Sequence, residues 1–313
     1  MVAMPALGHE MKIHRGLVST LIVLLDWLGA SVGFASEVQL VTLTAEITVI
    51  NHSDRDIGRY VHRLSVPVAG HLQQKLVGIR YEHPESIIRK RRRRGDSDYL
   101  ELRWNIPAES VSTRKVHFDL ELSPYDYRSG NRAVAPMTTE NYLQPAKYIE
   151  SDSSAVKRLA AQIESTYETD EERLRAAFLV PQQMIDYQVQ STQGALSAIE
   201  HGKGDCTEFA ALFVALARAM GYPARMTTEF LFVSRTEFRQ PNHHSAEVYL
   251  NGSWIPVDPN LALDRKYGYG FGVGTAKKVI ISRDFSWVWA NLWPRSLGSA
   301  RNSVDVKVRW KLK

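Results

Sequence analysis

The chain has 313 residues, enough for one large domain or two ordinary ones with a packed core. Hydrophobic residues make up 44% and charged residues 23%, which places the sequence in the globular range and excludes a wholly disordered chain. The formal net charge of +5 is largely local, because Arg89-Lys90-Arg91-Arg92-Arg93-Arg94 is an unbroken basic run. Such a run could touch an anionic membrane surface at the periphery. No aromatic or nucleic-acid-binding motif accompanies it, so nucleic acid is not an expected partner, and a solvated loop tip is the plainer reading.

Lys12, His14 and Arg15 form a basic region ahead of an apolar stretch from Leu17 to about Ala30, interrupted by Asp26. Gly33-Phe34-Ala35 then offers small residues at the positions a signal peptidase inspects, so cleavage is expected to leave Ser36 first. The apolar stretch is short for a membrane span, and Asp26 argues against an uncleaved anchor. Residues 1–35 therefore read as a signal peptide, and the mature protein is expected in the periplasm or cell envelope. The single cysteine, Cys206, cannot form an internal disulfide, which leaves a buried small residue or a reactive thiol.

From residue 36 to about 124 the pattern is one of short strands. Val41, Leu43, Ala45, Ile47 and Val49 alternate with more polar neighbours, Asn51-His52-Ser53-Asp54 is a turn signal, and further strands are predicted at 60–68, 74–81, 99–104 and 116–122. Closely spaced strands without an intervening helix predict a β-sandwich. The period changes after Asn141. Val156, Leu159, Ala160 and Ile163 recur at helical spacing behind Ser153 or Ser154. Asp170 could cap a second helix that Pro181 should kink or end. Gly194 to Ile199 reads as a helical turn, Asp205 to Met220 as the strongest helix, and 225–233 and 246–257 as strands. Val304 to Trp310 alternates strictly, as a final strand does. Helices followed by antiparallel strands predict an α+β domain over 125–313.

Cys206 falls at the start of the strongest helix. Asp205 is a good N-cap and Glu208 completes a capping box, so Cys206 takes the first helical position, where unpaired N–H groups and the helix dipole favour thiolate. Phe209, Leu212, Phe213, Leu216 and Met220 form the stripe that anchors this helix. Downstream, Asn251-Gly252 is a strong hairpin signal. With these two as the loop, Val248 faces Ile255 and Ser245 faces Asp258. His243 and Asp258 become diagonal neighbours on one face, roughly 7–8 Å apart between backbones. His244 points to the other face, so His243 is the better candidate base.

Gly204-Asp205-Cys206-Thr207-Glu208-Phe209-Ala210, the run from Leu212 to Arg225, His243 to Tyr249 and Trp254 to Pro259 together resemble the core motifs of the transglutaminase-like superfamily. In that family the catalytic histidine stands four residues before the glutamate of an E-V-Y stretch, which here gives His243. The sequence departs at Ser245, where many members carry an aromatic residue. The resemblance implies a papain-like fold preceded by a β-domain, and Cys206, His243 and Asp258 as a catalytic triad. It also implies acyl transfer on amide bonds through a thioester, ending on water or on an amine. Tyr187 and Trp254 are candidates for oxyanion or substrate contact. No metal-ligand spacing or phosphate loop stands out, and no cofactor is implied. The expected substrate is a peptide or protein. Hydrolysis is the first reading, protein cross-linking the second, and a non-catalytic binding scaffold the third.

Overall fold

The computed structural model describes residues 38–84, 87–91, 97–129 and 139–313. The expected signal peptide and residues 92–96 of the basic segment lie outside the described residues. In β1 (Gln39–Asn51), Leu43, Ala45, Ile47 and Val49 are buried while the residues between them are half-buried. This is the two-residue period of a strand with one face on a core. The strands β2 (Ile57–Ser65), β3 (Gly70–His71), β4 (Gln74–Tyr81), β5 (Ile87–Arg91), β6 (Asp98–Ile106) and β7 (Ser110–Leu122) follow, and then the short β8 (Tyr125–Asp126).

Helices take over next. Ser153 caps α1 (Ser154–Thr166) by accepting from the Val156 N–H. For α2 (Asp170–Met184) the cap is Thr169, in a capping box with Glu172, and Asp170 is the first helical residue rather than the cap. Pro181 sits inside α2 and does not end it, because the Ile185 N–H still reaches the Pro181 carbonyl at 3.0 Å and Gln182 Nε2 donates to the Phe178 carbonyl at 2.9 Å. After these come β9 (Asp186–Tyr187), α3 (Ala195–His201), β10 (Lys203–Gly204) and α4 (Cys206–Ala219). The chain then runs through β11 (Ala224–Leu231), β12 (Glu237–Phe238), β13 (His243–Leu250) and β14 (Ser253–Val257). It closes with β15 (Val273–Gly274), β16 (Lys278–Arg283), β17 (Trp289–Leu292) and β18 (Val304–Leu312).

The α+β core is a four-stranded antiparallel sheet, β14-β13-β11-β16, with α4 packed on one face. Phe209, Leu212, Phe213 and Leu216 of α4 share one hydrophobic cluster with Ala246, Val248, Ile255 and Val257. The β-sandwich consists of a six-stranded sheet, β12-β18-β1-β7-β4-β3, over a four-stranded sheet, β17-β2-β6-β5, with a separate cluster between them.

The expected boundary at residue 124 does not follow these sheets. β18 pairs with β1 from Leu43↔Leu312 to Asn51↔Val304, and β17 pairs with β2, so the end of the chain returns to complete the sandwich. Residues 36–313 form one compact unit. Alternation in 304–310 identifies a strand, but the pairing partner lies some 260 residues away and leaves no local trace.

The sandwich also seals the open edge of the core sheet. β16 is an edge strand, and the N–H of Ile280 donates to Gln74 Oε1 at 2.8 Å while its carbonyl accepts from Val68 N and Gln74 Nε2 at 3.0 and 2.9 Å. Gln73 Nε2 donates to the Lys278 carbonyl. Side-chain amides thus take the bonds that another strand would have made. Among the described residues no helix is long and apolar enough to cross a membrane.

Candidate active site

The start of α4 is fixed by a dense set of bonds. Asp205 Oδ1 accepts from Thr207 N at 2.8 Å, and Glu208 Oε2 accepts from Asp205 N at 3.0 Å, closing the capping box. The other oxygen of the fully buried Glu208 accepts from Gln193 N and Gly194 N at 2.8 and 3.3 Å, tying the preceding loop to the helix. A Cβ on Gly204 would stand 2.4 Å from Glu208 Cβ, so only glycine allows the β10 backbone this close. Cys206 is therefore held as the first residue of a rigid helix, and its thiol is half-buried rather than sealed in the core.

The hairpin delivers the other two groups. Asn251 and Gly252 both have positive φ, at 51° and 80°, as a two-residue type I′ turn requires. The register is Leu250↔Ser253, Val248↔Ile255 and Ala246↔Val257, as the sequence predicts. His243 Nε2 lies 2.9 Å from Asp258 Oδ2, and Cys206 is near enough to the same imidazole to favour its charged form. Asp258 Oδ1 accepts from Leu261 N at 2.9 Å. Burial alone would push the His243 pKa down, but the charge and hydrogen bond of Asp258, helped by Cys206, outweigh it and raise the value to about 10. His244 lies against Phe285, with its Nδ1 3.1 Å from the Thr227 carbonyl, and burial lowers its pKa.

Four further side chains join this group, and of these only Ser245 is singled out by the sequence. Lys278 Nζ is 2.9 Å from Asp258 Oδ2 and 3.0 Å from Glu229 Oε2. Glu229 Oε1 accepts from Thr227 Oγ1 at 2.7 Å and from Ser245 Oγ at 2.5 Å. All of these residues are buried. Ser245, the departure from the family pattern, thus faces this polar network. Glu229, His243 and Asp258 bring three ligand-type atoms within 4.8 Å of one another, but the cation between the two carboxylates is the Lys278 ammonium. Burial resists the Asp258 charge, while Lys278 and His243 hold its pKa well below the usual carboxylate range.

A bulge explains why Lys278 is hard to find. β11 pairs Thr227↔Arg283 on one side of a register shift and Leu231↔Lys278 on the other. The shift brings Lys278 and Arg283, five positions apart, to the same face, where unbroken alternation would separate them. Glu229 carries a weak signal, since Arg225, Thr227 and Glu229 pair with Glu247, Ser245 and His243 to give a polar face on two apolar strands.

Tyr187 is close to the thiol. Its strand pairs it with Gly204, two residues before Cys206, and it is 57% exposed. Its phenol is raised by partial burial and by the nearby Cys206 and Asp205, so it stays a hydrogen-bond donor. Trp254 is elsewhere. It is 2% exposed, lies 3.8 Å under the Arg225 guanidinium, and packs on Tyr142 and Tyr249. Its cross-strand partner Tyr249 is six residues along β13 from His243, roughly 20 Å away. The expectation that Trp254 contacts substrate at the thiol is therefore corrected: it is a core residue.

Residues 157–259 match the family model of the transglutaminase-like superfamily. A similar fold is found in a candidate cysteine protease from Cytophaga hutchinsonii, with a TM-score of 0.58 at 18% identity, covering 89% of this chain and 91% of that one. Fainter likenesses are to a candidate protease from Parabacteroides distasonis (TM-score 0.33, 13% identity, 78% of this chain and 46% of that one) and to the periplasmic domain of TgpA from Pseudomonas aeruginosa (0.35, 13%, 75% and 93%). No protein of curated function matches the sequence.

Proposed function

We propose that the protein is a cysteine-dependent acyl-transfer enzyme that hydrolyses amide bonds in peptides or proteins of the cell envelope. The observation that carries this reading is the His243 imidazole standing 2.9 Å from Asp258, with the helix-start Cys206 near enough to act on the same ring. In the first step the Cys206 sulfur attacks the substrate carbonyl and forms a C–S bond. His243, as imidazolium, gives its proton to the departing nitrogen as the C–N bond breaks. Water then attacks the thioester, His243 takes its proton, and the C–S bond breaks to release the acid and restore the thiolate. Asp258 keeps Nε2 protonated and supports the imidazolium. The Cys206 N–H has no partner within the helix at this position, and with the Tyr187 hydroxyl it is the proposed donor pair for the oxyanion.

Export is part of the proposal and rests on the basic, apolar and small-residue pattern of residues 12–35. The test is release of a fluorescent amine from amide-linked peptide libraries and envelope fractions, with Cys206→Ala as control. Turnover lost in Cys206→Ala supports hydrolysis. Incorporation of an added primary amine in place of water would move the assignment to cross-linking. No acyl-enzyme with any substrate, together with tight peptide binding, would leave a binding scaffold.

A further inference from the structure

The ionised side chains grouped around the imidazole do not cancel. Asp258 and Glu229 each carry one negative charge, and Lys278, between them at 2.9 and 3.0 Å, carries one positive charge. Glu229 Oε2 is also 4.0 Å from His243 Nε2. The set sums to one negative charge, and in a buried site it reaches neutrality only when His243 is protonated. Asp258 with Lys278 alone would already be neutral and would leave His243 without a net counter-charge. Glu229 makes the difference, and Ser245 and Thr227 hold its carboxylate by two hydroxyl bonds.

Cys206, beside the ring, also favours its charged form, and Cys206→Ser removes that contribution from the experiment below; the remaining groups nearby do not alter the count. Tyr125 and Tyr269 face Lys278, and burial raises both phenols, keeping them neutral. His71 and His244 are lowered by burial and are also neutral. Arg225 and Arg283 are both engaged on Glu247 at 2.7 Å, and Glu247 is four residues along β13 from His243, about 13 Å.

We infer that Glu229 is a positioning residue of the site, acting with Lys278 to set a buried charge that holds His243 as the imidazolium. The inference rests on the proposed reading of Cys206 and His243, in which the imidazolium is the acid for the leaving amine. Glu229 touches no substrate atom in this scheme.

The experiment is a titration of the His243 ring by NMR in histidine-labelled Cys206→Ser protein, with the resonance assigned by its loss in His243→Asn. Glu229→Gln should lower the His243 pKa by roughly 1–3 units, the scale of one adjacent charge. The double variant Glu229→Gln/Lys278→Met removes one charge of each sign and should return the value toward that of the parent. Glu229→Asp keeps the charge and should stay near the parent, and Lys278→Met alone should not lower the value. An unchanged pKa in Glu229→Gln, a further fall in the double variant, or a fall in Lys278→Met would overturn the inference. If Glu229→Gln does not fold, the remaining three variants still decide. Thiol reactivity plays no part here, so an inert Cys206 in wild-type protein would count against the proposed function and not against this charge arrangement.

Discussion

His243 Nε2 lies 2.9 Å from Asp258 Oδ2, and because a carboxylate only accepts, the proton between them belongs to the ring. That leaves Nδ1 as the nitrogen available to Cys206. Asp258→Asn removes the charge that supports the imidazolium and can offer an N–H to Nε2, which favours a neutral ring protonated at Nδ1 and unable to take the thiol proton. On the scale of the serine-protease equivalent, kcat should fall about 10⁴-fold with little change in KM. Steady-state kinetics on any amide substrate found for the enzyme, beside a thermal melt to show that the fold persists, checks this.

Glu208 holds two separate strands of backbone with one carboxylate. Glu208→Ala removes the acceptor for Asp205, Gln193 and Gly194 N–H groups at a fully buried position. The expected loss is about 1–3 kcal/mol, from leaving buried donors unpaired. Urea unfolding measures it, and a loss below about 0.5 kcal/mol would show that water replaces the carboxylate.

The buried ion cluster around Glu247 has a different character from the surface pairs. Glu247 accepts from both Arg225 and Arg283 at 2.7 Å, with every partner buried. Glu247→Leu strands two buried guanidinium groups, and the expected cost is about 3–5 kcal/mol. The exposed pair of His52 and Asp305, at 3.3 Å, should cost under about 1 kcal/mol when Asp305 becomes Ala. Denaturant midpoints of the two variants compare the effects directly.

Histidines set opposite limits on the pH range of stability. Burial lowers His62 and His71 to about 4, below their unfolded value, so their contribution is complete above about pH 6.5 and is lost as the pH falls toward 4. His243 is raised to about 10, so its contribution is complete below about pH 6.5 and is lost as the pH rises toward 10. Thermal unfolding between pH 4 and 10 should show a maximum near pH 6.5. His71→Gln should flatten the acid side, and His243→Asn the alkaline side.

Much of this arrangement is legible in the sequence because it is local. The capping box places Cys206 at the head of α4, and Asn251-Gly252 fixes a hairpin register that carries His243 toward Asp258. What the sequence hides depends on non-local events. The bulge in β16, where the pairing with β11 skips Ile281, brings Lys278 to Asp258, and the return of β18 to β1 crosses nearly the whole chain. Trp254 is a candidate by its place in the sequence alone, and only the placement of the buried Arg225 on its ring shows that it serves packing.

The central claim is that His243 activates Cys206, and the most direct test is the rate of Cys206 alkylation against pH in wild-type, His243→Ala and His244→Ala protein. The account predicts rapid alkylation well below the pKa of about 8.5 of a free thiol, lost in His243→Ala and kept in His244→Ala. An ordinary thiol profile in all three proteins would contradict it.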